Sequence, residues 1–344
     1  MKKYGLLLLP ILVIGCGKDD DQISETGGID TEEPDTQTDS GDTDTDTDTD
    51  TQVPCTAEVL EITPEDGEDD VFYRENLSVA FTEDAAAAVF SLEESATLSP
   101  VDHTVSWGED NLMATLVPAS PLNGATQYNL RVTICETETS STFETSDYGQ
   151  PVDGGSESLI GLTSVILFDN VKFTEPENIG SLLALYFDVP LLVGVLGADT
   201  TNIDVVAAMG YFDNVDGYKQ RLNQATWTFG QVNLDGNAYF EGSVDEIDLG
   251  YSNVSIPVYN FALSGTFAPD GSHFAGGTLT GNVDTRHMAP LFGQTDEGYP
   301  CELVGSMGVS CEACPDGENY CLTIRGQDIV SAAVPGVSVV EVDE

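Results

Sequence analysis

Leu77-Ser78-Val79-Ala80-Phe81 alternates large apolar residues with small or polar ones, the period of a strand with one buried face. The same signature recurs on both sides. Val59-Leu60-Glu61-Ile62-Thr63 is a short strand stopped by Pro64, and Glu65-Asp66-Gly67 is a turn. Val105-Ser106-Trp107 and Met113-Ala114-Thr115-Leu116-Val117 flank Gly108-Glu109-Asp110-Asn111 as a hairpin. Tyr128 to Ile134 alternates again, and Ser141-Thr142-Phe143-Glu144-Thr145 makes a last strand. About seven short strands over about 90 residues predict an antiparallel sandwich. Ala85 to Ala88, with Val89 and Phe90, predicts one helical turn between strands. His103 stands alone and reads as a surface residue.

Ile62-Thr63-Pro64-Glu65-Asp66-Gly67 followed by Leu77 to Thr82 resembles the opening of a bacterial Ig-like domain of the type found in exported and S-layer-associated proteins. Ala114 to Pro118, Pro121-Leu122, Thr126-Gln127-Tyr128 and Thr142-Phe143-Glu144-Thr145 continue the resemblance in order. It implies a spacer or binding module, with no catalytic landmark. It also implies that Cys55 and Cys135 lie at one pole of the sandwich. A disulfide there would pin the entry strand by roughly 4 kcal/mol on the loop-entropy account; the alternative is pairing with the second domain.

Beyond a Gly- and Pro-rich joint, β signals return. Leu159 to Phe173 predicts one or two strands, and Ile179, Leu182, Leu183 and Tyr186 fit one short amphipathic helix. Ala225 to Phe229 and Ala238 to Gly242 flank a Leu234-Asp235-Gly236-Asn237 turn. Val244 to Leu249, Val254 to Ile256, Tyr259 to Phe267 and His273 to Val283 follow as a meander, turned by Pro269-Asp270-Gly271-Ser272. Gly265, Gly276, Gly277 and Gly281 fall where barrels bend. The fold class is therefore all-β: an Ig-like antiparallel sandwich, then a β-rich barrel or rolled sheet with one short helix. The interior of that second domain can hold a small ligand or be filled.

Cys301, Cys311, Cys314 and Cys321 close this domain. Cys311-x-x-Cys314 invites zinc, but the outer spacings do not repeat as a ribbon's would. An exported chain favours disulfides. Four cysteines allow three pairings, which the sequence leaves open. Neither a metal nor another cofactor is expected.

The N-terminal segment begins with Lys2 and Lys3, runs through an apolar Leu6 to Leu12, and ends at Val13-Ile14-Gly15-Cys16. A basic start, a short apolar run and a small residue describe a secretory signal. With the cysteine, the segment resembles the lipobox of bacterial lipoproteins, which implies acylation of Cys16 and anchoring in a lipid bilayer. That resemblance implies a place in the bacterial cell envelope, at the outer membrane, and Lys18-Asp19-Asp20-Asp21 is similar to a surface-export start, which implies display outside the cell. The stretch after Cys16 has few apolar residues and ends in alternating Asp and Thr through Thr51. It predicts a disordered, extended spacer reaching ~130 Å at full stretch.

The reading divides the chain into signal (1–15), lipidated cysteine and acidic tether (16–54), Ig-like domain (55–147), linker (148–157), β-rich disulfide-containing domain (158–334) and acidic tail (335–344). A net charge of −50 with ten Lys and Arg repels phosphates and excludes a nucleic-acid partner. No nucleophile elbow, phosphate loop or paired zinc histidines appear. Asp284, Arg286 and His287 form the densest polar cluster of the second domain, either a site or a salt-bridged strand end. The expected function is non-enzymatic: a lipoprotein presenting a binding domain for glycan, protein or a small apolar ligand on an Ig-like spacer. The alternatives are a purely structural envelope spacer and a hydrolase built on paired carboxylates.

Overall fold

A computed structural model describes residues 55–177, 179–180, 189–250 and 254–343. The signal, Cys16 and tether expectations lie outside these residues, as does most of the helix expected around Leu182 to Tyr186.

Residues 59–144 build two facing antiparallel sheets. β1 (Val59–Thr63), β2 (Leu77–Phe81), β4 (His103–Trp107) and β5 (Met113–Pro118) form one, ordered β1-β2-β5-β4. β3 (Val89–Glu94), β6 (Gln127–Ile134) and β7 (Thr137–Glu144) form the other, ordered β3-β6-β7. The alternation in β2 buries Leu77, Val79 and Phe81 against Tyr128, Leu130, Val132 and Ile134 of β6. Two inner faces that interdigitate in this way are the core of a sandwich. Cys55 and Cys135 are bonded across 80 residues of sequence. The Ala85 run does not form a helix. It makes one turn, closed by Ala88 N–H donating to Ala85 O, and Val89 and Phe90 instead open β3, pairing with Thr133 and Val132. β-branched and aromatic residues prefer the pleated surface, and β6 supplies an edge for them.

The second domain rolls two sheets around one core. β8 (Thr163–Ile166), β10 (Leu191–Ala198), β11 (Asn202–Asp213), β12 (Gly217–Gln220), β13 (Trp227–Asn233) and β18 (Ala332–Ala333) make the first. β9 (Lys172–Glu175), β14 (Tyr239–Asp248), β15 (Pro257–Phe267), β16 (Phe274–Asp284) and β17 (Cys321–Ile329) make the second, ordered β14-β15-β16-β17-β9. The chain changes sheet four times: from β8 to β9, from β9 to β10, from β13 to β14 and from β17 to β18. The stretch from Tyr239 through Asp248 is one continuous strand rather than two.

Side chains fill the interior. Phe240 lies 5.1 Å from Phe267 and 5.2 Å from Phe274, ring centre to ring centre, and Phe229 lies 6.3 Å from Phe261. β10 and β11 are buried on both faces, which explains their unbroken apolar runs. One face meets the phenylalanine core. The other lies under Val334, Val337 and Val339.

Two boundaries therefore differ from the sequence reading. Residues 335–343 do not hang free: Val339 is buried, Val340 N–H donates to Gln220 Oε1, and Val342 N–H to Thr226 Oγ1. Val337 and Val339 pack on the sheet, while Ser338, Val340, Glu341 and Asp343 stay exposed. Residues 148–157 are not a loose linker either. Tyr148 packs on Phe72, Gly149 lies under the Tyr73 ring, and Val152 joins the second core.

The two cores meet at Phe72 and Tyr73. Tyr73 is fully buried and its hydroxyl lies 3.0 Å from Thr266 Oγ1. Arg74 Nε donates to the Tyr73 oxygen at 2.9 Å, and its guanidinium stacks 3.7 Å from the centre of the Tyr239 ring. Gly276, at φ +57°, sits where any Cβ would collide with the Phe72 ring. Gly276→Ala is expected to cost about 1–3 kcal/mol through overpacking and left-handed strain, concentrated at the junction. Hydrogen exchange checks this: amides around Phe72 and Gly276 should open ahead of both cores.

Candidate functional site

Asp284 ends β16 and caps the 3₁₀ segment Thr285–Phe292, its carboxylate accepting from Arg286 N–H. That cap turns the Arg286 side chain back on Asp284. Nη2 donates to Asp284 Oδ2 at 2.6 Å, Nε to Oδ1 at 2.9 Å, and Nη1 to Asp316 Oδ2 at 2.6 Å. The Asp284 side chain is only 1% exposed, and a polar group so buried is tolerated where it is paired and hydrogen-bonded. The sequence reading missed Asp316, which lies 30 positions away from Arg286.

Disulfides place it. Cys314 is bonded to Cys321 and Cys301 to Cys311, so the close Cys311-x-x-Cys314 pair is split between two partners. Cys301 sits on the helix α1 (Tyr299–Gly305). Thr285 Oγ1 donates to Tyr320 O at 2.6 Å, holding the stapled loop against the end of β16. Asp316 Oδ1 accepts from Glu318 N–H at 3.0 Å. That backbone donor, and then Arg286, hold the Asp316 carboxyl below its ordinary range. A lowered carboxyl stabilises the fold above the ordinary aspartate range, and the contribution is lost as pH falls through the lowered value. The stability gap between the native chain and Asp316→Asn should be present at pH ~6 and close towards pH ~2, read by urea melts.

His287 does not join the pair. It is exposed, on the wall of an open cleft of about 630 Å³ shared with Ser255, Arg286 and Glu297. Each guanidinium nitrogen of Arg286 already donates to a carboxylate, so the cluster serves as an ion-pair staple. Arg286→Ala is expected to cost about 2–3 kcal/mol, less than a fully buried pair because Arg286 is partly wet. Arg286→Lys should recover only part of this, since a point charge cannot reproduce the fork. Denaturant midpoints of the two variants decide it.

Among the described residues no group of three or more His, Cys, Asp or Glu is arranged to hold a metal ion, and no helix is long and apolar enough to cross a membrane. His103 Nδ1 lies 2.9 Å from Val101 O at the start of β4. A second cleft, of about 780 Å³, opens where the two domains meet, walled by Tyr148 and His273. The Tyr148 hydroxyl lies 2.8 Å from His273 Nε2. Its other residues come from four separate segments, and no local sequence pattern joins them.

Fold and junction define a mostly β protein with an Ig-like first domain locked to a rolled second sheet. Residues 51–146 match the family described as bacterial Ig-like domain. Among solved structures the chain is similar to PcoC, a copper resistance protein from Escherichia coli, at 20% identity and a TM-score of 0.23, covering 26% of this chain and 99% of that one. It is similar to CopC from Methylosinus trichosporium OB3b at 13% identity and a TM-score of 0.23, covering 26% and 94%. The N-terminal part of the bacterial S-layer protein SbsC gives 14% identity and a TM-score of 0.23, covering 48% and 42%. No curated protein matches the chain.

Proposed function

We propose that this is a lipid-anchored protein of the bacterial cell envelope, without enzymatic activity, that holds a ligand-binding surface away from the membrane. The observation that carries the reading is the junction. Tyr73 bonded to Thr266, and Phe72 seated over Gly276, make the Ig-like domain a fixed mount rather than a bead on a string. Three features support it. The Val13-Ile14-Gly15-Cys16 segment has the form of a lipidation signal. All six cysteines among the described residues are in disulfides, as export into an oxidising compartment favours. The densest polar cluster is spent on an ion-pair staple, which suits a scaffold more than a catalyst.

The filled phenylalanine core argues against an apolar ligand inside the roll. Binding therefore falls to the surface clefts, which are polar and fit a glycan, peptide or other polar partner. Feeding cells an alkyne-tagged palmitate tests the anchor. The native chain should take up label and fractionate with membranes, and Cys16→Ser should do neither. Unlabelled native chain in the soluble fraction would overturn the reading. Protease shaving of intact cells then tests display: release of the folded part puts it outside, and survival until the outer membrane is broken removes the surface claim.

A further inference from the structure

We propose that the groove beside the end of β11 captures the C-terminal carboxylate of a partner polypeptide whose last residue is large and apolar. A strand edge is free there. β10 and β11 pair no further than Leu191 with Met209, while β11 and β12 stay paired as far as Asp213 with Gly217. The end of β11, from Tyr211, therefore has a strand partner on one side only among the described residues. Gly210 N–H donates to Pro190 O on the other side. Backbone direction repeats every second residue of an antiparallel strand, so Phe212 turns its N–H and carbonyl to that same open side. An unpaired edge is a template for an extended chain.

The apolar surface is concentrated at the same place. Phe212 is 60% exposed, and Val215 in the turn beyond it is 89% exposed. The Tyr218 ring lies 5.1 Å from that of Phe212, centre to centre. Both line a groove of about 350 Å³ together with Tyr211, Leu167 and Pro190. Exposed apolar groups gathered in one patch mark sites of association.

Charge is the third observation. Arg74, Arg131, Lys172, Lys219, Arg286 and Arg325 all sit in ion pairs. Arg221, on the groove wall, takes part in none among the described residues. Its Nε donates to Gly210 O at 3.0 Å, which fixes the guanidinium beside the open edge. A guanidinium matches a carboxylate with paired hydrogen bonds.

Together these select the ligand. Asp169 stands on the same wall and the chain carries a net charge of −50, so a single carboxylate fits where an acidic polysaccharide would be repelled. Main-chain hydrogen bonds along a strand edge are used by a polypeptide and not by a fatty acid. The proposal rests on the reading of this protein as one that presents a binding surface, and is independent of lipid anchoring.

Fluorescence anisotropy on the full chain in non-ionic detergent tests it. The probe is an N-terminally labelled Gly-Ser-Thr-Val-Phe pentapeptide, as the free acid and as the C-terminal amide. The free acid should bind saturably and about tenfold tighter than the amide. Arg221→Gln should erase that difference, and Phe212→Ser should weaken both peptides about fivefold, in variants whose melting matches the native chain. Lys219→Gln removes a like charge from the same hairpin and should change nothing. Where Arg221→Gln melts early, the ratio of acid to amide in the native chain decides by itself. Equal binding of acid and amide, no saturable binding below about 1 mM, an unchanged ratio in a folded Arg221→Gln, or displacement of the probe by decanoate or trigalacturonate at lower concentration than by unlabelled peptide would overturn the proposal. Such a failure leaves the anchored mount standing, since acyl labelling and shaving read that separately.

Discussion

Phe240→Ala is expected to cost about 3–5 kcal/mol, the range for deleting a large buried aromatic. Phe240 is 2% exposed and stands between Phe267 and Phe274 at ring-centre distances of 5.1 and 5.2 Å. Two aromatic rings and backbone border the gap it would leave: Gly265 already brings its backbone against the Phe240 and Phe274 rings. The wall therefore relaxes little, and the cavity term adds to the lost transfer free energy. A fall in the urea midpoint with unchanged slope would show it. A loss below about 1 kcal/mol would mean the interior is a loosely filled lumen, and the case against an internal ligand would fail.

Removing the Cys55–Cys135 bond, as Cys55→Ser/Cys135→Ser, is expected to cost about 4 kcal/mol on the loop-entropy account. The bond closes a loop with a sequence separation of 80, nearly the whole Ig-like domain. Its two ends are otherwise weakly held: Cys55 is exposed ahead of β1, and Cys135 occupies the tight turn between β6 and β7. Heating should then unfold the Ig-like domain first, with the rolled domain following as a separate step. Calorimetry reads this directly. A single transition within about 3 °C of the native one would contradict the assignment, since 1 kcal/mol alone moves a domain of this size by about 4–8 °C.

Much of the Ig-like half was legible because β2, β5 and β6 bury one face and not the other, so Leu77, Val79 and Phe81 announce themselves by alternation. β10 and β11 break that pattern. They are covered twice, by the core and by Val334 to Val339, so their apolar runs carry no period. The closing segment was misread for the converse reason: its charges are visible in sequence, whereas the sheet that its valines cover is not. Val89 and Phe90 looked helical beside four alanines, and only the partner strand β6 decides otherwise. At the candidate site, Asp284 and Arg286 were legible as neighbours. Asp316 was not, because a disulfide loop brings it in. The junction was invisible altogether. Phe72, Gly276, Tyr73 and Thr266 are unremarkable residues until two domains press them together.

The two domains are held as one unit through Phe72, Tyr73, Thr266 and Gly276, and limited proteolysis of the full chain, followed by mass spectrometry, checks this. Cleavage is expected in the acidic stretch before Cys55, leaving one resistant fragment that carries both domains and stays whole after reduction. Early cutting within residues 148–157, with the Ig-like domain released by itself, would contradict the account.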